Sequence, residues 1–120
     1  MKKVLVIDDD ADIRESLQAL LEAYGFSAVA VDGGPAALAM LRAGQIPNVI
    51  LLDLMMPEMD GAEFRRHQLA DPTLAKIPVI VISAGGNVVQ KARAMGVPGL
   101  TKPVDVDRLI ALVTGAGVAD

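Results

Sequence analysis

The stretch VILLDLMMP, residues 49–57, decides how the rest of the chain is interpreted. Its first four residues are aliphatic, and they predict a strand, Val49–Leu52, that is buried on both faces. The strand ends on the carboxylate of Asp53. A buried carboxylate is unfavourable unless it is paired or binds a cation. We therefore expect other charged groups to meet Asp53 at that end of the strand.

Short apolar runs alternate with helical patterns along the whole chain. This alternation predicts an α/β fold, in which a parallel five-stranded sheet carries helices on both faces and the crossovers are right-handed. The predicted strands are Val4–Ile7, Ser27–Val31, Val49–Leu52, Val79–Ile82 and Leu100–Thr101.

The helical segments differ in the clarity of their apolar faces. The first has one clear face, formed by Ile13, Leu17, Leu20, Leu21 and Tyr24. Either Asp10 or Asp12 is placed to cap it. The third helix, after Asp60-Gly61, has the weakest pattern, because polar Gln68 stands one turn after Phe64. The second helix is predicted from Pro35 to Arg42, the fourth from Val88 to Met95 and the last from Val106 to Val113.

Length and composition limit the class of protein. A chain of 120 residues predicts a single domain over residues 1–120, with a core from about 3 to 113 and a frayed tail over 114–120. The absence of cysteine excludes disulfides and thiolate metal sites. A net charge of −4 without a Lys/Arg run argues against direct nucleic-acid binding. The chain has no apolar run of about 18 residues and no secretory signal, so we expect no membrane contact and a cytoplasmic location.

Polar side chains follow several of the predicted strands. Asp8 and Asp9 follow the first strand, and Asp53 follows the third. Ser83 follows the fourth and Lys102 the fifth. Because the carboxyl ends of parallel strands share one edge of a sheet, we expect these groups to lie together.

The chemistry of this edge indicates phosphoryl transfer. Carboxylate oxygens without Cys or His favour Mg²⁺ over zinc or copper. A metal ion, the Lys102 ammonium and the Ser83 hydroxyl suit an anion with several oxygens, such as a phosphoryl group. Asp53 is then a candidate nucleophile that forms an aspartyl phosphate.

Four motifs together resemble the receiver domain of two-component response regulators. The resemblance extends from Lys3 to about Val113. It implies a stand-alone receiver with the flavodoxin-like fold and the strand order 2-1-3-4-5. The motifs are VLVIDDD (residues 4–10), DLMMPEMDG (53–61), PVIVISA (78–84) and TKP (101–103).

The resemblance also implies roles for residues and partners. Asp53 would accept the phosphoryl group from a phosphohistidine of a histidine kinase or a phosphotransfer protein. Asp8, Asp9, Asp53 and the backbone carbonyl of Met55 would bind Mg²⁺. The domain would catalyse only its own phosphorylation and dephosphorylation, so it would not be an enzyme in the ordinary sense.

The resemblance also implies which residues would respond to phosphorylation and transmit the response. Ser83 and Lys102 would contact the phosphoryl group, and the Lys102–Pro103 peptide bond is expected to be cis. The signal would leave through the fourth helix, fifth strand and fifth helix, which would contact a downstream protein, or the phosphoryl group would be passed on. The family usually carries Tyr or Phe three residues before the lysine. Here that position is Gly99, so another element must transmit the conformational change that phosphorylation causes.

Two other functions remain compatible with the residues. The first is a receiver-like binding module that works without phosphorylation, which Gly99 favours. The second is a haloacid-dehalogenase-type phosphatase, whose DxD start Asp8 and Asp10 imitate. Asp12 stands where that pattern has Thr or Val, and DLMMPEMDG has no place in it. Ser83 and Lys102 also have ordinary interpretations, as a turn residue and a surface lysine.

Overall fold

A computed structural model describes residues 2–116 as a five-stranded parallel sheet in the order β2-β1-β3-β4-β5. The predicted α/β class and the strand order implied by the resemblance are both confirmed. The strands are β1 (Lys3–Ile7), β2 (Ser27–Val31), β3 (Val49–Leu52), β4 (Val79–Ser83) and β5 (Gly99–Thr101).

Helices cover both faces of the sheet. The buried side chains of α1 and α5 pack on one face, and those of α2, α3 and α4 pack on the other. The helices are α1 (Ala11–Ala23), α2 (Gly34–Arg42), α3 (Gly61–Ala70), α4 (Val88–Ala94) and α5 (Val106–Gly115).

The strands alternate between two apolar cores. In β1, Val4 and Val6 join the core under α1 and α5, whereas Leu5 and Ile7 join the core under α2 and α3. Every residue of β3 and β4 is buried, as expected for strands in the interior of a parallel sheet that is covered on both faces. This double burial makes β3 a rigid support for the residue that follows it.

The ends of α1 settle one open alternative and correct one prediction. Asp10 is the cap, since its carboxylate accepts from the backbone N–H groups of Asp12 at 2.9 Å and Ile13 at 3.3 Å. The prediction that Tyr24 belongs to the buried face is wrong, because its side chain is 51% exposed. Tyr24 is the C-cap residue, and the chain turns away from the core there through Gly25 at φ 90.

Gln68 explains the weak pattern of α3. Phe64 is fully buried, and one turn later Gln68 is fully buried as well. The Gln68 amide donates to the carbonyl oxygens of Leu74 and Ile77, each at 3.0 Å, and its oxygen accepts from Arg65 at 2.8 Å. A polar residue occupies a core position because it satisfies carbonyls of the irregular segment before β4.

The last helix extends further than predicted. Thr114 and Gly115, which we assigned to a frayed tail, are helical, and residues 117–120 lie outside the described residues. The Lys2 ammonium donates to the carbonyl oxygens of Val113 at 3.0 Å, Thr114 at 2.9 Å and Ala116 at 2.6 Å. These bonds satisfy carbonyls that a helix end leaves without partners. No helix within residues 2–116 combines the length and apolar character needed to cross a membrane.

Candidate functional site

The register of β1 and β3 brings two acids together. Ile7 pairs with Leu52, so the next residues, Asp8 and Asp53, leave adjacent strands at the same edge. The backbone N–H of Asp53 donates to the carbonyl oxygen of Ile7 at 3.0 Å, which extends the ladder by one residue. The backbone of Asp53 is thereby fixed by the sheet.

The side chain of Asp53 has three polar contacts. Its Oδ1 accepts from the Ser83 hydroxyl at 2.7 Å and from the Met55 backbone N–H at 3.1 Å. Its Oδ2 lies 3.4 Å from the Lys102 Nζ. Asp53 is 5% exposed and Ser83 is fully buried. Ser83 is the last residue of β4, so it is not a surface turn residue.

Asp8 and Lys102 form the shortest ion pair of the site. The Lys102 Nζ lies 2.7 Å from the Asp8 Oδ2, and the Lys102 side chain is only 15% exposed. The Asp8 Oδ1 accepts from the backbone N–H of Asp10 at 2.9 Å. Arg14 donates to the backbone carbonyl of Asp8 at 2.9 Å. Lys102 is therefore a partly buried partner of both carboxylates and not a freely exposed surface lysine.

Burial and charge shift the pKa values in this group. Burial raises the pKa of Asp8 above its ordinary value, more than the hydrogen bond from Lys102 lowers it, and the charge of Asp53 raises it further. Burial alone would lower the pKa of Lys102, but the hydrogen bond to Asp8 and the charges of both carboxylates raise it. The site holds more negative charge than its one lysine neutralises.

The acids are grouped closely enough to share a cation. Asp8, Asp9 and Asp53 each offer a carboxylate oxygen, and these oxygens all lie within 4.8 Å of one another. Asp9 is exposed, while the other two are buried, so the group opens to solvent on one side. Hard oxygen donors with an unbalanced negative charge match the preference of Mg²⁺. Asp10 is taken up by capping α1 and lies outside this group.

Gly99 lies in β5 directly beneath α4. A Cβ atom at this position would lie 2.6 Å from the Ala92 Cβ and 3.3 Å from the Val88 carbonyl oxygen. The absence of a side chain is therefore what allows α4 to approach β5. In the loop that follows β5, the peptide bond between Lys102 and Pro103 is cis, as the resemblance implies.

Two residues that support the site escaped the sequence analysis. In the sequence, Asp60-Gly61 only marks where the third helix begins, but a Cβ on Gly61 would lie 2.6 Å from the Asp53 carbonyl oxygen and 2.8 Å from the Leu54 Cα. Gly61 therefore lets α3 begin against the backbone of Asp53. Arg14 was missed because nothing in its spacing from Asp8 indicates a bond to a backbone carbonyl.

The strand order and the acidic edge place the chain in the doubly wound, flavodoxin-like class, which binds its ligands at the carboxyl ends of the strands. Within that class, the chain belongs to the response regulator receiver domain family, whose profile matches residues 4–114.

Relatives and solved structures agree with this family. The response regulator PleD of Caulobacter vibrioides is 41% identical over 115 residues, which are 92% of this chain and 25% of PleD. The protein PilH of Pseudomonas aeruginosa is 29% identical, over 94% of this chain and 95% of PilH. A response regulator receiver protein from Pseudomonas putida superposes with a TM-score of 0.85 at 33% identity, over 94% of this chain and 95% of that one. The chain spans a quarter of the length of PleD and about half the length of other curated relatives that it matches.

Proposed function

We propose that the chain accepts a phosphoryl group on Asp53 from a phosphohistidine of a histidine kinase or a phosphotransfer protein, and that Mg²⁺ is required. The observation that carries this proposal is the buried Asp53 carboxylate, held by Ser83 at 2.7 Å and by Lys102 at 3.4 Å. A carboxylate that served only to end a strand would gain nothing from a partly buried ammonium and a buried hydroxyl beside it.

The proposed reaction forms one bond and breaks one. An oxygen of the Asp53 carboxylate bonds to phosphorus while the phosphorus–nitrogen bond of the phosphohistidine breaks, and the bonding electrons return to the imidazole. Lys102 and Ser83 then neutralise and hydrogen-bond the phosphoryl oxygens. Phosphoryl transfer depends mainly on such positioning and charge neutralisation.

Mg²⁺ fits the residues that the fold brings together. Asp8, Asp9 and Asp53 would hold the ion, and the Met55 carbonyl is a fourth proposed ligand. When bound, the ion supplies positive charge next to the transferred group. The chain's own contribution is to hold Asp8 and Asp53 at fixed positions on neighbouring strands. The only chemistry proposed for the domain is its own phosphorylation and dephosphorylation, with an output through α4, β5 and α5 or by onward transfer.

The test is phosphorylation by a small donor. With acetyl phosphate and Mg²⁺, the wild-type chain should gain one phosphoryl group, detected by intact mass and removed by hydroxylamine. Asp53→Asn should gain none. Lys102→Met should react roughly 100-fold more slowly, because one preorganised group that neutralises the developing charge is lost.

The matched control is Asp32→Asn, which removes an exposed carboxylate outside the group of three acids. It should be phosphorylated at the wild-type rate. A wild-type chain that gains no adduct, or an adduct that persists in Asp53→Asn, would exclude this function. Hydrolysis of a phosphate ester that depends on Asp8 rather than Asp53 would favour the phosphatase alternative.

Gly99 supports a second candidate, a binding module that signals without phosphorylation. The family's aromatic switch residue is absent, and α4 occupies the space beside this position. In this case a partner should bind equally well with and without beryllofluoride. A change in affinity with beryllofluoride would support the phosphorylated switch.

A further inference from the structure

Arg14 connects the first turn of α1 to the end of β1. Its backbone N–H donates to the carbonyl oxygen of Asp10 at 2.9 Å. Its half-buried side chain reaches back along the chain, and its Nη1 donates to the backbone carbonyl oxygen of Asp8 at 2.9 Å. Arg14 therefore closes the short loop that carries two of the three clustered acids.

The contact between Arg14 and Asp8 is not an ion pair. Arg14 binds the neutral backbone carbonyl of Asp8, although Asp8 also carries a carboxylate. Among residues 2–116, no acid forms an ion pair with Arg14, whereas Lys102 pairs with both Asp8 and Asp53. Lys102 thus balances the charge of the acids, and Arg14 fixes the geometry of the backbone.

The other polar groups of Asp8 are held without Arg14. Its backbone N–H donates to the carbonyl oxygen of Val31 at 3.2 Å. Its Oδ1 accepts from the Asp10 N–H at 2.9 Å, and its Oδ2 pairs with Lys102 at 2.7 Å. Loss of the Arg14 side chain would therefore leave the Asp8 carboxylate anchored and would release only the peptide group that follows it.

Asp9 depends on that peptide group. It is exposed, and in the part of the chain that the structure describes, neither its backbone nor its carboxylate forms a hydrogen bond. Its carboxylate oxygen nevertheless lies within 4.8 Å of those of Asp8 and Asp53. The carbonyl oxygen of Asp8 and the N–H of Asp9 belong to one planar peptide group. A bond that holds this oxygen therefore sets the direction in which Asp9 leaves β1.

We propose that Arg14 is a positioning residue for the cation site and that it acts through Asp9. By fixing the peptide group between Asp8 and Asp9, it keeps the exposed Asp9 carboxylate beside those of Asp8 and Asp53. This inference rests on the Mg²⁺ site of the proposed function. Groups that orient metal ligands from behind typically change metal affinity by roughly 10- to 100-fold.

The charge of Arg14 makes this role testable, because charge and position predict opposite results. A positive guanidinium close to a cation site repels the cation, so its removal would tighten cation binding if charge alone mattered. Loss of the bond to the Asp8 carbonyl should instead weaken cation binding, because Asp9 is no longer held beside the other acids.

The experiment is a titration of the full ¹⁵N-labelled chain with Mg²⁺, without a phosphoryl donor, followed through the amide signals around Asp53. Arg14→Met should raise the dissociation constant of Mg²⁺ about tenfold. Asp9→Asn should raise it as well. Adding Arg14→Met to Asp9→Asn should change it by less than about twofold, since a residue that acts through another has no separate effect once that residue is replaced.

The matched control is Gln18→Met. Gln18 is also half-buried on α1 and also donates to a strand carbonyl at 2.9 Å, that of Ala28. Ala28 pairs with Val4, at the opposite end of β1 from the acids. The control should therefore bind Mg²⁺ like the wild type. If Arg14→Met does not fold, Arg14→Gln, whose side chain is polar but shorter, takes its place with the same expected results.

Three results would overturn the proposal. The first is a dissociation constant that is unchanged or lower in Arg14→Met, which would mean that the bond to Asp8 does not position a ligand. The second is an equal rise in Gln18→Met, which would mean that any loosening of α1 has this effect. The third is an equal effect of Arg14→Met in the wild-type and Asp9→Asn backgrounds.

The two proposals fail separately. Normal phosphorylation of Asp53 with no change in Mg²⁺ affinity in Arg14→Met contradicts the role of Arg14 alone. The expected pattern of Mg²⁺ affinities without phosphorylation of Asp53 contradicts the proposed function alone, and a wild-type chain that binds no Mg²⁺ contradicts both. If both hold, Arg14→Met should need about tenfold more Mg²⁺ to reach half of its maximal phosphorylation rate, and that maximal rate should match the wild type.

Discussion

At the scale of single residues, the central fact is that the site carries a surplus of negative charge. Asp8 is 2% exposed and Asp53 is 5% exposed, and Lys102 is their shared cation. The pKa of Asp8 is raised first by burial and also by the charge of Asp53. Without a bound cation, the repulsion and burial of these two carboxylates destabilise the folded state. A bound cation should stabilise it, because the cation adds positive charge beside them.

Replacing Asp8 tests whether its buried negative charge destabilises the folded state. Because the pKa of Asp8 in the folded chain is raised, the folded state binds the proton more tightly than the unfolded state does. Its contribution to stability is therefore present at low pH and is lost as pH rises from its ordinary value of 3.8 through the raised one. Without Mg²⁺ at pH 7, Asp8→Asn should unfold at a higher urea concentration than the wild type.

The control for this measurement is Asp12→Asn, which neutralises an exposed acid outside the group of three. It should not raise the unfolding midpoint. The difference in stability between Asp8→Asn and the wild type should also shrink as pH falls below 3.8. A lower midpoint for Asp8→Asn at pH 7 would show that the Lys102 ion pair outweighs burial.

At the scale of elements, the contact between α4 and β5 depends on one glycine. A Cβ atom on Gly99 would lie 2.6 Å from the Ala92 Cβ. Gly99→Ala should therefore destabilise the fold by about 1–3 kcal/mol, since the core has no room for the added methyl group. Urea unfolding measures this loss.

Two companion variants isolate the cause. Adding Ala92→Gly to Gly99→Ala removes the clash and should recover part of the stability, although a helical glycine costs about 1 kcal/mol. Gly86→Ala adds a Cβ that meets nothing within 4 Å, so it should leave stability nearly unchanged. Equal effects of Gly99→Ala and Gly86→Ala would contradict the close approach of α4.

The end of α5 depends on a residue from the other end of the described chain. Lys2 donates to three carbonyl oxygens at the end of α5. Lys2→Met should destabilise the fold by about 1 kcal/mol and speed amide hydrogen exchange in the last turn of α5. The control Lys3→Met removes an equal charge from an exposed neighbour and should have little effect. Equal exchange rates in both variants would contradict this role.

At the scale of the whole molecule, cation binding should increase the free energy of unfolding. A ligand that binds only the folded state at ten times its dissociation constant adds about 1.4 kcal/mol. Mg²⁺ should therefore raise the melting temperature of the wild type, and EDTA should reverse the rise. The rise should be smaller for Asp9→Asn, which removes one proposed ligand, and unchanged for Asp12→Asn. An equal rise in both variants would place the ion elsewhere.

The sequence by itself determined the α/β class and the edge of the sheet at which the site lies, whereas the strand order came from the resemblance to receiver domains. The strands are recognisable because residues such as those of β3 are apolar at every position, and helical spacing separates one strand from the next. Asp8, Asp53, Ser83 and Lys102 were assigned to one edge because parallel strands end on the same side. This inference needs only the order of elements along the chain, which is a property of the sequence.

Only the tertiary structure decided which residues lie close together across elements. Gln68 is buried although it is polar, because its amide bonds to backbone carbonyls outside its helix. Tyr24 is exposed although it lies on the apolar face of α1, because the chain turns away from the core at Gly25. Gly61 and Gly99 are needed because a helix passes within van der Waals distance of a strand or loop. Such distances depend on how separate elements pack, and local periodicity carries no information about them.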